Sequence, residues 1–176
     1  TGNPERKEAS EYWRSVELSL MYKAEMSYYP SYVERDAIKA IDDGIPVKDI
    51  VAYVYEQFRD DIPGDFARRE GILFVGGFAH PPNGDAVLWF VREVYPLIRT
   101  QMEKAGKQPP DFYVVGSKVT KEIQELEQPG NGVIIKGFVS DEELRQLYDT
   151  VRIVVVPLRY GAGGKGKVVE ALYHGA

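Results

Sequence analysis

The chain of 176 residues carries a net charge of −5, contains no cysteine and is 44% hydrophobic. That length suffices for one domain with a core, or for a domain plus part of a second. Without thiols, disulfides and thiolate metal sites are excluded, and the acidic balance argues against nucleic acid as a partner. The sequence has neither a membrane-spanning run nor a signal-peptide core, so it predicts a cytoplasmic protein.

The first 70 residues show helices and strands of irregular order. Their apolar spacing and turn residues predict a helix, a short strand, a second helix, a strand and a polar linker at 4–23, 26–31, 31–41, 49–58 and 59–70. Trp13 and Leu20 fall on the apolar side of the first helix, and Ser31 with Glu34 forms a capping box for the second.

From Gly71 onward, strands and helices alternate. Four apolar runs that end at glycine, phenylalanine or proline predict strands at 72–77, 111–116, 132–138 and 152–157. Helices are predicted at 85–104 with a kink at Pro96, at 121–126, from Ser140 onward and from about Gly166 onward. This order predicts a Rossmann-like parallel sheet with helices on both faces, whose ligand binds at the carboxyl edge. Because no strand follows the last helix, we expect the domain to be truncated.

The last 20 residues, PLRYGAGGKGKVVEALYHGA, fit the phosphate-loop spacing G-x-x-x-x-G-K from Gly161 to Lys167. A nucleoside triphosphatase loop places Ser or Thr after the lysine to hold Mg²⁺, whereas this chain has Val168. The preceding strands do not end in the aspartate that such a metal site requires. The spacing therefore argues against a phosphate-loop NTPase, whose sign would be Mg²⁺-dependent ATP binding.

The same loop is nevertheless suited to an anion. It follows a strand and opens a helix, so backbone N–H groups and the helix dipole favour negative charge there. Glycines that allow close backbone approach and flanking basic side chains occur at Gly161, Gly163, Gly164, Gly166, Arg159, Lys165 and Lys167. Glu170, one turn later, suits the vicinal hydroxyls of a ribose. The residues are as compatible with a nucleotide as with a glycine-rich turn bearing solvated lysines.

The segments ILFVGGFAHPPNGDAVLWFVREVYPLI and GFVSDEELRQLYDTVRIVVVPLRYGAGGKGKVVEALYHGA resemble the C-terminal nucleotide-binding domain of GT-B glycosyltransferases, most closely retaining family 4. The most specific motif is G-x-G-x-K-x-K-x-x-E-A-x-x-x-G, from Gly161 to Gly175. The resemblance implies an incomplete nucleotide-sugar-binding domain at 71–176, one half of a GT-B fold. Residues 1–70 would then hold the end of the N-terminal domain or the crossover, followed by the linker.

The resemblance implies transfer of a sugar from a UDP, GDP or dTDP donor to a hydroxyl of a glycan or glycolipid, with retention, in polysaccharide or glycoconjugate synthesis. It implies no metal and no further cofactor, and peripheral membrane association of the full enzyme. Glu170 would bind the ribose, and Gly163 and Gly164 the diphosphate or sugar. The backbone at Gly137, Phe138 and Val139 would contact the base, and Gly76 and Gly77 would face the diphosphate and acceptor. It identifies no catalytic group in this chain.

The chain departs from the family pattern at three positions. Ala162 replaces the first of two glutamates, and Gly77 and Asn83 replace an arginine and a lysine. Diphosphate charge is then expected from the basic residues Lys165, Lys167 and Arg159. These departures leave open a non-catalytic nucleotide-binding or interaction module. With the acceptor domain nearly absent, we expect an isolated fragment to be inactive, and its open sheet edge to form a homodimer or pair with a rearranged N-terminal segment.

Other candidates favour structural roles. We expect His80 to be a structural loop residue, Asn83 to cap the long helix, and His174 to be stabilised by a helix dipole. Trp89 is expected in the core. The acidic pairs at 42–43 and 60–61 lack a third ligand and make a poor metal site.

Overall fold

In a computed structural model of the chain, the structure describes residues 4–50, 55, 59–62, 66–161 and 165–176. Most of the strand predicted at 49–58 lies outside the described residues, as do Ala162, Gly163 and Gly164. The chain forms two compact units, one within residues 1–54 and the other comprising Tyr55–Gly161 and Lys165–Ala176. Among the described helices, none has the length and apolar character needed to cross a membrane.

The first unit contains two helices and two short parallel strands. They are α1 (Pro4–Met21), β1 (Ser27–Tyr29), α2 (Tyr32–Ile41) and β2 (Val47–Asp49). Half of the predicted capping box is confirmed, because the Ser31 side chain accepts a hydrogen bond from the Glu34 N–H at 3.4 Å. The return bond from the Glu34 side chain is not formed among the described residues, where Glu34 Oε2 is buried without a partner. The core of this unit consists of Met21, Ile38, Ile45 and Val47.

Two predictions for the first unit are wrong. Trp13 and Leu20 do not lie in the core, since their side chains are 66% and 62% exposed. It is Leu18 and Met21, on another side of the last turns of α1, that contact the core. The second strand also begins earlier than predicted, at Val47, which is buried in the core.

The second unit is a four-stranded, fully parallel sheet in the order β5-β4-β3-β6. Its strands are β3 (Ile72–Val75), β4 (Phe112–Val115), β5 (Val133–Gly137) and β6 (Ile153–Val154). Its helices are α3 (Pro81–Trp89), α4 (Tyr95–Lys104), α5 (Lys121–Gln124), α6 (Asp141–Thr150) and α7 (Gly166–Tyr173). The predicted α/β class and parallel sheet are confirmed.

Both faces of this sheet are buried. Phe74 packs with Phe112 and the helix α3 on one face, while Leu73 packs with Tyr148 of α6 and Ala171 of α7 on the other. Because side chains alternate along a strand, neighbouring residues of β3 serve the two cores. Helices therefore cover both faces, as a parallel sheet requires.

The predicted long helix begins four residues early and changes type in its middle. Pro81 is its first residue, where a missing N–H costs nothing. A π-helical turn at Phe90–Val94 precedes α4, with the Tyr95 N–H donating to the Phe90 carbonyl. Pro96 has no N–H to continue the regular ladder, so the interruption expected at this proline is observed one turn before it.

The predicted strand at 152–157 is shorter than expected. Its regular part, β6, covers only Ile153–Val154, although the Val155 N–H still donates to the Leu73 carbonyl at 2.9 Å. The chain then leaves the sheet toward Gly161, the last described residue before 165.

Candidate functional site

The carboxyl ends of three strands form a cleft of about 190 Å³. The turns after β3, β4 and β5 contribute Gly76, Gly77, Gly116, Ser117 and Phe138, and the remaining lining comes from Val75, Val115, Val139, Asp141 and Leu144. The structure thus brings four predicted site residues to one edge: Gly76, Gly77, Phe138 and Val139. This is the edge at which open parallel sheets bind ligands.

Two glycine turns in this cleft pack backbone against backbone. A Cβ atom on Gly116 would lie 2.0 Å from the Gly76 carbonyl oxygen, a distance that no side chain can adopt. The Gly76 N–H donates to the Val115 carbonyl at 2.9 Å, and the Gly116 N–H to the Gly137 carbonyl at 2.8 Å. The glycines are therefore required by the close approach of neighbouring turns.

Lys167, near the start of α7, reaches the turn after β3. Its Nζ donates to Asn83 Oδ1 at 2.6 Å and lies 4.6 Å from the centre of the Phe74 ring. A Cβ atom on Gly76 would lie 2.8 Å from the same Nζ. Burial, together with the charge of Lys165, lowers the pKa of Lys167 to about 8. The predicted cation is thus located at the predicted glycine turn.

Asn83 does not cap the long helix, so that prediction is wrong. His80 occupies the N-cap position without a side-chain cap bond, and Asn83 lies inside the first turn, 6% exposed. Its Nδ2 donates to the Gly77 carbonyl at 2.8 Å while its Oδ1 accepts from Lys167. Asn83 is therefore a site residue that the sequence reasoning missed. The sequence offered one indication of this role, because Asn83 stands where the family that the sequence resembles carries a lysine.

Arg159 contacts α3. Its Nε donates to Asp85 Oδ2 at 2.8 Å, its Nη2 contacts Asp85 Oδ1, and its guanidinium carbon lies 5.9 Å from the centre of the Trp89 ring. The Arg159 hydrogen bond lowers the pKa of the Asp85 carboxyl. The charge of this arginine is thus already balanced by a carboxylate. Trp89 is partly exposed and is not among the core residues.

Glu170 lies one turn after Lys167 on α7 and is half-buried beside Tyr148 of α6. Burial, followed by the neighbouring Glu170 carboxylate, raises the pKa of the Tyr148 phenol. Within the described part of the chain, the buried Tyr148 hydroxyl makes no hydrogen bond of good geometry. The Tyr148 ring therefore packs against α7, and the Glu170 carboxylate lies close enough to the Tyr148 hydroxyl to raise its pKa.

Phe138 projects into solvent at the rim of the cleft. It follows Gly137, which has a left-handed φ of +68° and faces Val115 across an irregular register between β4 and β5. The Phe138 side chain is 81% exposed, in contrast to the half-buried Val139 beside it. An exposed aromatic ring beside a cleft offers a face for stacking.

The remaining candidates have structural partners. The His174 ring stacks on Tyr148 at 4.5 Å, and burial and Arg59 lower its pKa. A helix dipole would raise that pKa, so dipole stabilisation does not account for His174. Lys165 occupies the N-cap position of α7. Across the described residues, no three His, Asp or Glu side chains cluster in a way that could hold a metal ion.

Comparison with known proteins adds two findings. Residues 69–176 match the profile of a family described as "Glycosyl transferases group 1". A protein of Klebsiella pneumoniae, described as an uncharacterized 44.6 kDa protein in cps region, is 30% identical over 108 residues. That alignment covers 57% of this chain and 26% of the relative, so the chain spans about a quarter of the relative's length.

Proposed function

The chain belongs to the group 1 glycosyltransferases, and on that premise we propose that its second unit binds a nucleoside-diphosphate sugar at the carboxyl edge of the sheet. The enzyme to which it contributes would transfer the sugar to a hydroxyl of a glycan or glycolipid. The observation that carries this proposal is the ammonium of Lys167, held against the Gly76 turn at the start of α7.

The diphosphate would lie between the glycine turn and the start of α7. An ammonium and a helix N-terminus both favour negative charge, and both are already in place before the ligand arrives. When the bond between the sugar and the diphosphate breaks, negative charge grows on the departing oxygen. Preorganised positive groups stabilise that charge, which is the electrostatic part of the catalysis. In this chain the preorganised positive group is the Lys167 ammonium, and Lys165 is close enough to affect the pKa of Lys167.

The nucleoside would extend from the diphosphate toward Glu170 and Phe138. A carboxylate accepts hydrogen bonds from the two ribose hydroxyls, so Glu170 fixes the sugar ring. The exposed ring of Phe138 and the backbone at Gly137 and Val139 would contact the base. Gly163 and Gly164, proposed for the diphosphate or sugar, lie outside the described residues.

We also propose that donor binding is independent of metal and of any further cofactor. The diphosphate charge is met by lysine and by backbone N–H groups, so a divalent cation has no necessary role. Retention of configuration, a UDP, GDP or dTDP donor, a cytoplasmic location and peripheral membrane association of the full enzyme belong to the same proposal. A role in polysaccharide or glycoconjugate synthesis fits the cps region named for the relative.

A second candidate is a nucleotide-binding module without transferase activity. It is favoured by one specific observation, the replacement of three expected polar residues by Gly77, Asn83 and Ala162. Both candidates predict nucleotide binding at the same edge. They differ in sugar transfer, which only the transferase predicts.

Calorimetric titration of the 176-residue chain with UDP, GDP, dTDP and ADP tests donor binding. Each titration is run with Mg²⁺ and with EDTA, and repeated for Glu170→Ala. We expect one of the four nucleotides to bind best, with equal affinity in Mg²⁺ and in EDTA. Glu170→Ala should bind it about tenfold more weakly. Transfer or donor hydrolysis by the full-length parent then separates the two candidates. Binding that requires Mg²⁺ would contradict the proposed donor site.

A further inference from the structure

We propose that Asn83 positions the Lys167 ammonium, and that the two together form the diphosphate-binding cation in place of basic side chains in the β3–α3 turn. The inference rests on the proposed function for the identity of the ligand. What it adds is that Asn83 on α3 and Lys167 on α7, 84 positions apart, act together through a hydrogen bond.

The Asn83 amide is fixed at both ends. Its Nδ2 donates to the Gly77 carbonyl at 2.8 Å, which turns Oδ1 toward Lys167, and Oδ1 then accepts from Nζ at 2.6 Å. The opposite amide orientation would place an NH₂ group against an ammonium and an oxygen against a carbonyl. The amide therefore has one favourable orientation, and that orientation places the ammonium.

Lys167 differs from two other partly covered lysines, Lys39 and Lys136, in having neutral partners. Lys39 and Lys136, with side chains 33% and 31% exposed, lie 3.6 Å from Asp43 and 3.0 Å from Glu143 respectively.

Lys167 contacts an amide oxygen and the Phe74 ring, and within the described part of the chain no carboxylate pairs with it. A covered ammonium without a counter-ion is unfavourable by itself. An anionic ligand would remove that cost, so the arrangement is suited to one.

The turn after β3 leaves room for this pair. A Cβ atom on Gly76 would lie 2.8 Å from Lys167 Nζ and 2.9 Å from Asn83 Cγ and Nδ2. Any side chain at Gly76 would therefore displace the ammonium or the amide. The glycine, the amide and the lysine form one packed unit, although they come from the turn after β3, from α3 and from α7.

An amide at position 83 also leaves the start of α3 without a cation of its own. A lysine there would bring a second ammonium close to the first, and the two charges would repel. With Asn83 the position becomes an acceptor, so the cation is supplied from α7 instead. A cation between a glycine turn and a helix N-terminus suits an anion such as a phosphate group, and the proposed function makes that anion a diphosphate.

The test follows the Lys167 side chain directly by NMR of ¹³C-labelled lysine in the 176-residue chain, with inorganic pyrophosphate and UDP, GDP and dTDP as ligands. We expect pyrophosphate to shift the Lys167 signal and to raise its pKa. Asn83→Ala should change the pKa of Lys167 in the free protein and weaken pyrophosphate binding about tenfold. Asn83→Asp, nearly identical in shape, should raise that pKa and also weaken binding. Lys104→Met, an exposed charge change on α4, is the matched control and should change neither.

The outcomes separate the inference from the proposed function. Pyrophosphate binding that depends on Asn83, without binding of any nucleotide, would support the inference and contradict the donor site. Nucleotide binding that neither Asn83 variant weakens, with an unchanged Lys167 pKa, would overturn the inference and leave the donor site. If neither pyrophosphate nor nucleotide shifts Lys167, both are wrong. Should Asn83→Ala fail to fold, the pKa of Lys167 in Asn83→Asp decides: a raised pKa supports the contact between the two side chains, and an unchanged pKa overturns the inference.

Discussion

The two edges of the four-stranded sheet differ in the way they are closed. At the amino edge lies a cavity of about 450 Å³, lined by Asp111, Glu127, Gln128, Pro129, Gly130, Gly132, Val133 and Ile134. Side chains from α4 hold it: Arg99 donates to the Asn131 carbonyl at 2.6 Å, and the Tyr95 hydroxyl to the Gly132 carbonyl at 3.0 Å. At the carboxyl edge the cleft is smaller, and glycine turns meet backbone to backbone.

The proposed function places the ligand at the smaller of these two spaces, for a reason of charge rather than of size. Arg99, a cation beside the wall of the larger cavity, is already bonded to the carbonyls of Asn131 and Gly130. The smaller cleft lies beside Lys167, whose neutral partners leave its charge uncompensated. We therefore assign the amino edge to stability and the carboxyl edge to binding, and the following changes test that division.

The largest effect is expected from Gly116→Ala. The added Cβ would overlap the Gly76 carbonyl at 2.0 Å, and neither backbone segment can move without breaking sheet hydrogen bonds. We expect the free energy of unfolding in urea to fall by about 3 kcal/mol or more. The control at the other edge is Gly130→Ala, where φ is +74° and no atom lies within 4 Å of the added carbon. It should cost only about 1 kcal/mol, from backbone strain. Equal losses would show that the turns can separate.

Two substitutions, one at each edge, should separate the two roles: the first should weaken binding and the second should lower stability. Lys167→Met is expected to weaken diphosphate binding about tenfold or more, because the ammonium is lost. The free energy of unfolding should stay the same or rise slightly, because a covered charge is removed. Arg99→Met is expected to leave binding unchanged and to lower the free energy of unfolding by about 1–2 kcal/mol, because two backbone carbonyls lose their donor. Calorimetry measures the diphosphate affinity of both variants, and urea unfolding measures their stability. Loss of diphosphate affinity in Arg99→Met would contradict the division.

The carboxyl edge should also respond to pH. The pKa of Lys167 is about 8 in the free protein, and a bound diphosphate would raise it, so binding takes up a proton above pH 8. Affinity should be highest near pH 7–8 and fall by up to tenfold per pH unit as the pH rises further. Within the described residues, the charged group that acts on Lys167 is Lys165. Titration between pH 7 and 9.5 tests this, and Lys167→Met should remove the alkaline fall. An unchanged slope in that variant would assign it to another group.

Phe138→Ala should have a smaller and more selective effect. Its ring is 81% exposed, so unfolding should change by less than about 0.5 kcal/mol. Loss of stacking should weaken nucleotide binding by about 1–2 kcal/mol and leave pyrophosphate binding unchanged. Parallel titrations with UDP and pyrophosphate provide the comparison. A loss for both ligands would place the ring at the diphosphate instead.

The smallest effect is expected from Arg159→Ala. This arginine is paired with Asp85 and lies beside Trp89, so its charge is not available to a ligand without breaking that pair. Diphosphate affinity should change less than threefold, against tenfold or more for Lys167→Met. An equal loss in both variants, measured by the same titrations, would return Arg159 to the diphosphate site.

Local patterns in the sequence were sufficient to predict most of the second unit. The apolar runs around Phe74 and Val114 are parallel strands, and Ser140 caps α6 by accepting from the Glu143 N–H. Such features depend on neighbours a few residues away, which a single sequence displays. Trp13 shows the limit, because helical spacing identifies an apolar side but not whether anything packs on it.

The site residues could be predicted only in part. Lys167 follows from the glycine-rich motif, whereas its partner Asn83 lies 84 positions away and was interpreted as a helix cap. Asparagine is a common cap, but Pro81 as the first helical residue would have placed the cap at His80. Arg159 has its ion-pair partner, Asp85, 74 positions away. Contacts of this kind depend on the tertiary fold, and local spacing does not contain them.

The central claim is that the carboxyl edge binds a nucleoside diphosphate through Lys167 and Glu170 without a metal ion. Its most direct test is calorimetric titration of the 176-residue chain with UDP, GDP and dTDP in EDTA, beside Lys167→Met, Glu170→Ala and the amino-edge variant Arg99→Met. We expect saturable binding of one of these nucleotides, weakened by the first two substitutions and unchanged by the third. Absence of binding by the folded chain, or equal binding in all four proteins, would contradict it.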